Sequence, residues 1–401
     1  MDLTSGLPVW LLRDPAPAPV WPDLSESLAC DVVVVGAGIT GALAAWHLVQ
    51  AGLDVVVLDR RPVGLGSTVA STSLIQYELD ISLVKLRTMV GREHADRSYV
   101  ACVEAVRRLE DIVREIGSRC GCERRSSLYL ASTPADVEAL RLEAAARRQI
   151  GIAVEELTPA EIAARFPFRR PAALLSEDAA QIDPYRLTND LIHSAAAAGA
   201  RVFTGPGATM EELTPGGGPA VRAAGGAVRA RHVVLATGYE SEASLHAPAT
   251  TLASTYAIAT APGQPLAEWD GRCLIWEAAR PYLYLRTTAD GRVLVGGEDE
   301  PAVDPARRDA LLAAKAARLA GRGRELFPSI DFSPACAWAG TFASTRDGLP
   351  FIGSPAGFPG VWFALGYGGN GIVFGLIAAE IVRDACLGRV HPAAGLFRFD
   401  R

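Results

Sequence analysis

The chain has seven cysteines in 401 residues, none at a CxxC or Cys/His ligand spacing. That excludes a disulfide framework or a zinc site. Cys120 and Cys122 stand too close in sequence for an easy bridge, so reduced thiols and a cytoplasmic setting are expected. The six histidines (47, 94, 193, 232, 246 and 391) are scattered, and no metal is expected. Charge is sparse as well: 21% of residues are charged and the net charge is −6, which leaves no electrostatic footprint for nucleic acid. Long hydrophobic runs are missing, since the nearest candidate, 366–385, is broken by Asn370, Glu380, Arg383 and Asp384. No stable membrane insertion is expected. The N-terminus offers no basic stretch, and its apolar patch, Leu7 to Leu12, is shorter than a signal core, so no export is expected.

What the chain does have is length and glycine. At 401 residues it exceeds what one core can fill, so two domains are expected, interleaved along the sequence. Its 39 glycines cluster at candidate loops. The Pro15–Pro22 segment reads as an extended arm within residues 1–27. From Asp31 the sequence becomes a buried strand (DVVVVG), a helix (Ile39 to Ala51), a turn at Gly52 and a second strand (Asp54 to Asp59). That order is a βαβ unit on a parallel sheet.

Within this unit Gly36, Gly38 and Gly41 form GAGITG at the mouth of the helix, and Asp59 follows 18 residues beyond Gly41. The first glycine permits a tight turn, the second lets backbone approach phosphate, and the third lets helix pack on sheet. Asp59 accepts from ribose hydroxyls, so a dinucleotide is expected. The acid fits NAD or FAD equally. Three other segments favour a flavin. VVLATG (Val233 to Gly238) runs a strand into a small-residue turn. GYGGNG (Gly366 to Gly371) precedes a helix whose positive end suits an anionic pyrimidine edge. VGLGSTVASTSLIQ (Val63 to Gln76) supplies a wall of little bulk. The rest of the chain reads as helices at 92–117, 134–150, 158–166, 184–199 and 305–319, with a β-rich stretch over 254–297.

These motifs together resemble the FAD-dependent D-amino-acid oxidase superfamily, which includes glycine and sarcosine oxidases, and most closely its gamma-glutamylputrescine-oxidising branch. The resemblance spans nearly the whole chain. It is carried by CDVVVVGAGITG, VGLGST, AAQIDPYRL around Asp183 and Pro184, YLRTTADGRVLVGG around Arg286, WAGTFASTRDGLPFIG (Trp338 to Gly353) and GYGGNG. It implies an α/β fold: a Rossmann-like FAD-binding domain (28–90, 170–245 and 335–401), interleaved with an α+β substrate domain on a large antiparallel sheet (91–169 and 246–334). It also implies FAD contacts from Gly36, Gly38, Ile39, Thr40, Gly41, Asp59, Arg60, Ser67, Thr68, Ser71, Thr72, Ala208, Thr237, Gly238, Gly340, Gly369, Asn370, Gly371 and Ile372.

Departures from the family pattern narrow the substrate. Phe342, Gly369, Val373 and Ser73 stand where amino-acid oxidising members place basic groups for a substrate carboxylate. A small amine is therefore expected rather than a free α-amino acid. Gly340 replaces the cysteine of covalent flavin attachment, so FAD is expected to be noncovalent, with Cys336 in the core. Leu294 replaces a lysine linked to oxygen activation, which leaves oxygen or another electron acceptor open. The implied chemistry is hydride transfer from the α carbon to flavin N5, followed by hydrolysis of the imine. The expected pocket carries Arg286, Tyr284 and Glu78 in catalytic roles, with Gln76, Tyr77, Tyr256 and Trp276 at the substrate. Tyr282, Tyr284 and Arg286 share one strand face. Asp347 reads as a turn cap. The alternatives are an FAD dehydrogenase of an amino or hydroxy acid using a non-oxygen acceptor, and a noncatalytic or electron-transfer flavoprotein subunit. Self-association is left open.

Overall fold

The structure, a computed structural model, describes residues 3–13, 20–214, 218–240, 250–301 and 304–401. Most of the Pro15–Pro22 arm lies outside the described residues. Two sheets organise the chain. The first has eight strands, with Phe351–Gly353, Val361–Leu365, Gly226–Leu235, Leu28–Val35, Val55–Asp59 and Arg201–Thr204 in spatial order. Four of its pairings, from Val361–Leu365 across to Arg201–Thr204, are parallel, with Val32–Val35 in register with Val55–Leu58 on one side and with His232–Leu235 on the other.

The valine run forms a central strand because both its faces are covered. Val32 and Val34 pack with Ala42, Leu43 and Trp46 of the helix Ile39–Gln50 and with Phe374 and Ile377 of the helix Gly371–Cys386. Val33 and Val35 pack with Val221, Val228 and Phe363 on the opposite side.

The second sheet has ten strands. Their order is Thr4–Gly6, Pro334–Ser344, Thr251–Thr260, Val293–Glu300, Leu283–Thr287, Leu274–Glu277, Glu123–Leu130, Ala173–Gln181 and Leu74–Gln76, with Val154–Leu157 also paired to Ala173–Gln181. All its pairings are antiparallel except that of Leu274–Glu277 with Glu123–Leu130. The helix Pro305–Leu326, N-capped by the Asp304 side chain, covers one face and buries Leu319 and Ala320 against Tyr256, Ile258, Val293 and Val295. It runs on to Leu326, past the Leu319 end read from the sequence.

The fold class is the one expected, an α/β dinucleotide-type domain interleaved with an antiparallel cap. Sheet membership shifts its seams. Ala173–Gln181 and Pro334–Ser344 hydrogen-bond into the cap sheet, although segments 170–245 and 335–401 were read as cofactor domain. The reason is register: both strands take sheet partners more than 40 residues away, Ala173–Gln181 alongside its nearer pairing with Val154–Leu157, and local periodicity does not reveal these. The start of the arm also belongs to that sheet, because Thr4–Gly6 pairs with Trp338–Gly340 and Trp10 is fully buried.

Candidate functional site

One cavity of about 930 Å³ runs along the seam between the sheets, at the upper end of the ~300–1,000 Å³ usual for ligand sites. Gly36 turns out of its strand with φ 109°, against the Ala236 carbonyl. A Cβ on Gly41 would overlap the Gly36 carbonyl, so this glycine sets how closely helix and strand approach. Gly41 itself does not line the cavity, whereas Gly36, Gly38, Ile39 and Thr40 do. Asp59 accepts from the Ala37 amide at 2.7 Å and the Arg61 amide at 2.8 Å. Burial raises its pKa, and those two amides oppose the rise. Arg61 and Arg60 both bond to Glu240, Arg61 at 2.9 Å.

The small-residue wall is where the sequence placed it. Ser67–Ala70 forms a short helical turn, and Thr68 Oγ1 accepts from the Ile39 amide at 3.0 Å. Ser71 and Thr72 continue along the cavity, while Ala208, Thr237, Gly238 and Gly340 close other sides. At the far side the loop before the helix Gly371–Cys386 brings Gly369, Asn370, Gly371 and Ile372 to the cavity. Asn370 Nδ2 fastens it to the opposite wall by donating to the Gln76 and Glu78 carbonyls, both at 2.9 Å.

A flavin dinucleotide fits this cradle. Ser67 Oγ and Thr341 Oγ1 line it and are buried with no protein partner. The glycines at 36, 38, 340, 369 and 371 keep side-chain bulk out of it. None of the seven cysteines lines it.

Beyond the glycine-rich part the cap sheet builds a different wall. Gln76, Glu78, Asp80, Thr255, Trp276, Tyr282, Tyr284 and Asp299 all line it. The Tyr282 and Tyr284 rings lie 5.8 Å apart, Tyr282 donates to Asp80 Oδ1 at 2.9 Å, and Tyr284 Oη meets Thr255 Oγ1 at 3.3 Å. Trp276 stacks on Tyr129 at 3.8 Å, and its Nε1 shares the Ser127 hydroxyl with Gln76. Burial pushes the Tyr282 hydroxyl pKa well up, Asp80 and Asp299 adding to it, and the Tyr284 hydroxyl rises through burial and Asp299.

Three expected site residues are elsewhere. Arg286 shares a face with Tyr282 and Tyr284, but it is 2% exposed beneath the cavity wall. There it donates to the Ser73 and Ile182 carbonyls at 2.9 and 3.0 Å and stacks on Trp10. It does not line the cavity, and these bonds spend its charge on backbone. Tyr77 is fully buried, bonded to Ser176 at 2.9 Å and Arg147 at 3.2 Å, because alternation turns residues 76 and 78 to the cavity instead. Tyr256 is buried on the helix-covered face with Lys315 over its ring, while its neighbour Thr255 faces the cavity. Glu78 does line the cavity, tied through Oε1 to the fully buried Arg147. Burial raises its pKa and Arg147 opposes the rise.

Asp80 and Asp299 were missed. Asp80 carried a signal, since Gln76, Glu78 and Asp80 alternate. Asp299 carried none, because a one-residue bulge opposite Thr255 puts it where Glu298 would point. Phe342, Gly369, Val373 and Ser73 all line the cavity as the departures require. Leu294 is buried in an apolar cluster with Trp10 and Trp338, and Cys336 belongs to the same cluster. Asp347 caps its turn, accepting from the Leu349 amide at 3.1 Å, and pairs with Arg401.

Comparison with known proteins agrees with this architecture. The chain is 27% identical to gamma-glutamylputrescine oxidoreductase of Escherichia coli (strain K12), over 91% of this chain and 85% of that protein. It is 24% identical to glycine oxidase of Geobacillus kaustophilus (strain HTA426), over 88% and 92%. The solved structure of glycine oxidase from Geobacillus kaustophilus superposes with a TM-score of 0.78 at 19% identity, covering 93% of this chain and 99% of that one. L-proline dehydrogenase from P. horikoshii gives 0.75, over 95% and 99%. The family model described as DAO, FAD dependent oxidoreductase, matches residues 31–385, and the chain belongs to that family.

Proposed function

We propose that the protein holds FAD noncovalently and oxidises a C–N bond of a small amine rather than of a free α-amino acid. The charge of the cavity supports this reading best. Among the described residues, the cations that line it are Arg60 and Arg61, both committed to Glu240 at the Asp59 end. A desolvated substrate carboxylate needs a charge-assisted partner, and the aromatic wall carries carboxylates instead. Bound FAD would supply the two-electron acceptor for a hydride leaving the amine's α carbon. Gly36, Gly38 and Asp59 would hold its pyrophosphate and ribose, and Asn370, which fastens the loop before the helix Gly371–Cys386, would keep that helix end toward the cofactor. Trp276, Tyr282 and Tyr284 would shape the space for an amine and exclude water from it. The substrate loses a hydride and a proton to become an imine, and water then releases the carbonyl product and ammonia or an amine.

The test is anaerobic mixing of the yellow protein with alkylamines, diamines, N-methyl amino acids, D-amino acids and 2-hydroxy acids. Bleaching by amines is expected, and bleaching by free amino or hydroxy acids alone would overturn the reading. Acid precipitation should leave the flavin in solution; colour in the pellet would refute noncovalent attachment. Peroxide released on re-aeration distinguishes oxygen from another acceptor.

A further inference from the structure

The aromatic wall holds more negative charge than an amine undergoing oxidation can use. Hydride departure needs the lone pair of the reacting nitrogen, and a carboxylate beside that nitrogen would hold it as ammonium. Yet three carboxylates line this end, Glu78, Asp80 and Asp299. Arg147, the buried cation behind them, is shared by Glu78 and Glu143 at 3.3 and 2.8 Å, so it does not balance the other two. Lys315 is turned to the opposite face, bonded to the Glu298 carbonyl and the Glu300 carboxylate. Arg280 is exposed outside, over the Tyr282 ring at 4.3 Å, and donates to the Asp80 backbone carbonyl.

The backbone is shaped to bring Asp299 here. Leu294 and Gly296 point to the cavity side, so plain alternation would turn Glu298 the same way and Asp299 toward the helix. Instead the ladder to Thr251–Thr260 slips one residue between Gly297 and Glu300, with Glu298 at φ 60°. Left-handed backbone at a non-glycine residue is unfavourable and persists where its surroundings enforce it. The slip sends Glu298 to Arg318 and Lys315 on the helix and Asp299 into the cavity. There Asp299 Oδ1 is buried with no hydrogen-bond partner, as is Oε2 of the 5%-exposed Glu78.

We infer that Asp299, backed by Asp80 and boxed by Tyr282 and Tyr284, binds a second, non-reacting ammonium group of the substrate. The preferred substrates are then diamines or longer polyamines, oxidised at one nitrogen and anchored by another. Tyrosine faces also attract an ammonium. The inference rests on the amine reading and adds the second charge to it.

The test compares an α,ω-diaminoalkane with the n-alkylamine of equal length by anaerobic flavin reduction. For the wild type, an apparent Kd for the diamine at least about tenfold below that of the monoamine is expected, as for a desolvated charge pair. Asp299→Asn should remove most of that ratio by raising the diamine Kd far more than the monoamine Kd, with the flavin spectrum kept; Asp299→Ser serves if the amide variant does not fold. A bis-quaternary α,ω-diammonium alkane, which lacks a lone pair to oxidise, should perturb the visible flavin spectrum of the wild type and not of Asp299→Asn. Equal affinities for diamine and monoamine in the wild type, or an unchanged ratio in the variant, would overturn the inference while the amine reading stands. Reduction by amino or hydroxy acids alone would overturn both.

Discussion

The two ends of the cavity are built on different principles. At the Asp59 end, apart from Arg60 and Arg61 paired to Glu240, the lining is backbone and small residues: Gly36 and Gly38, amides held by Asp59 and Thr68, and hydroxyls at 67 and 341. At the other end it comes from side chains carried on five separate segments of the cap sheet and its connections, including Gln76, Trp276, Tyr284 and Asp299. A site made of backbone tolerates little change but is independent of which substrate is bound. A site made of side chains can be rebuilt residue by residue without disturbing the cofactor, so the substrate end is where relatives of one fold diverge. Substitutions at the two ends should therefore separate, with flavin retention lost at one and substrate preference altered at the other.

The largest expected effect is at the glycine end. Gly41→Val would drive a branched side chain into the Gly36 carbonyl, forcing helix and strand apart at the glycine turn proposed to hold the cofactor's phosphates. The protein should purify colourless, read as the ratio of visible flavin absorbance to protein. A variant that stays yellow would show that this end tolerates bulk after all.

Arg147→Met comes next. Arg147 is buried among Glu78, Glu143 and Tyr77, and its loss leaves two carboxylates without a countercharge. Removing one partner of a buried ion pair costs about 3–5 kcal/mol, so a large fall in the urea midpoint is expected. Because burial already raises the Glu78 pKa, the variant should recover stability as pH falls and Glu78 takes up its proton. A loss of stability independent of pH would remove Glu78 from the account.

How much of this was legible follows the same division. The phosphate-binding unit fits within strand, turn, helix and strand from Asp31 to Asp59, so local pattern suffices to read it. The substrate wall depends on register across strands distant in sequence. Sequence pattern favours Tyr256, yet Thr255 faces the cavity, because the helix covering the other face is settled by tertiary packing. Asp299 was out of reach, since a single inserted residue reverses strand parity. Arg286 looked chemical because a buried charge needs a partner. Its partners are the Ser73 and Ile182 carbonyls.

A structural role for Arg286 has its own test. Arg286→Met should remove two charge-assisted bonds to backbone carbonyls and lower stability by about 2 kcal/mol, with the lost desolvation of the cation offsetting part of the gross loss. Flavin content should fall in step with stability, because Ser73 belongs to the small-residue wall. The ratio of diamine to monoamine affinity should stay as in the wild type. A changed ratio would place Arg286 in the substrate site, as its sequence setting first implied.

Tyr284→Phe probes the opposite case, a side chain of the substrate wall whose hydroxyl bonds to Thr255 and Thr72. Its hydroxyl meets Thr255 at 3.3 Å, and its ring lies over Gly296, where no side chain competes for the space. The phenylalanine ring keeps that packing, so flavin content and urea midpoint should be unchanged. What is lost is one hydroxyl in a dry wall beside Asp299, worth about 1 kcal/mol, or roughly a fivefold weaker amine Kd in anaerobic titration. Because the hydroxyl pKa is driven up by burial and then by Asp299, Tyr284 stays protonated across the working pH range and acts as a neutral donor or acceptor. The affinity loss should therefore be the same at pH values on either side of neutrality. If it instead grew with pH, the hydroxyl would be ionising, and the negative charge of this wall would be shared with Tyr284 rather than confined to its carboxylates.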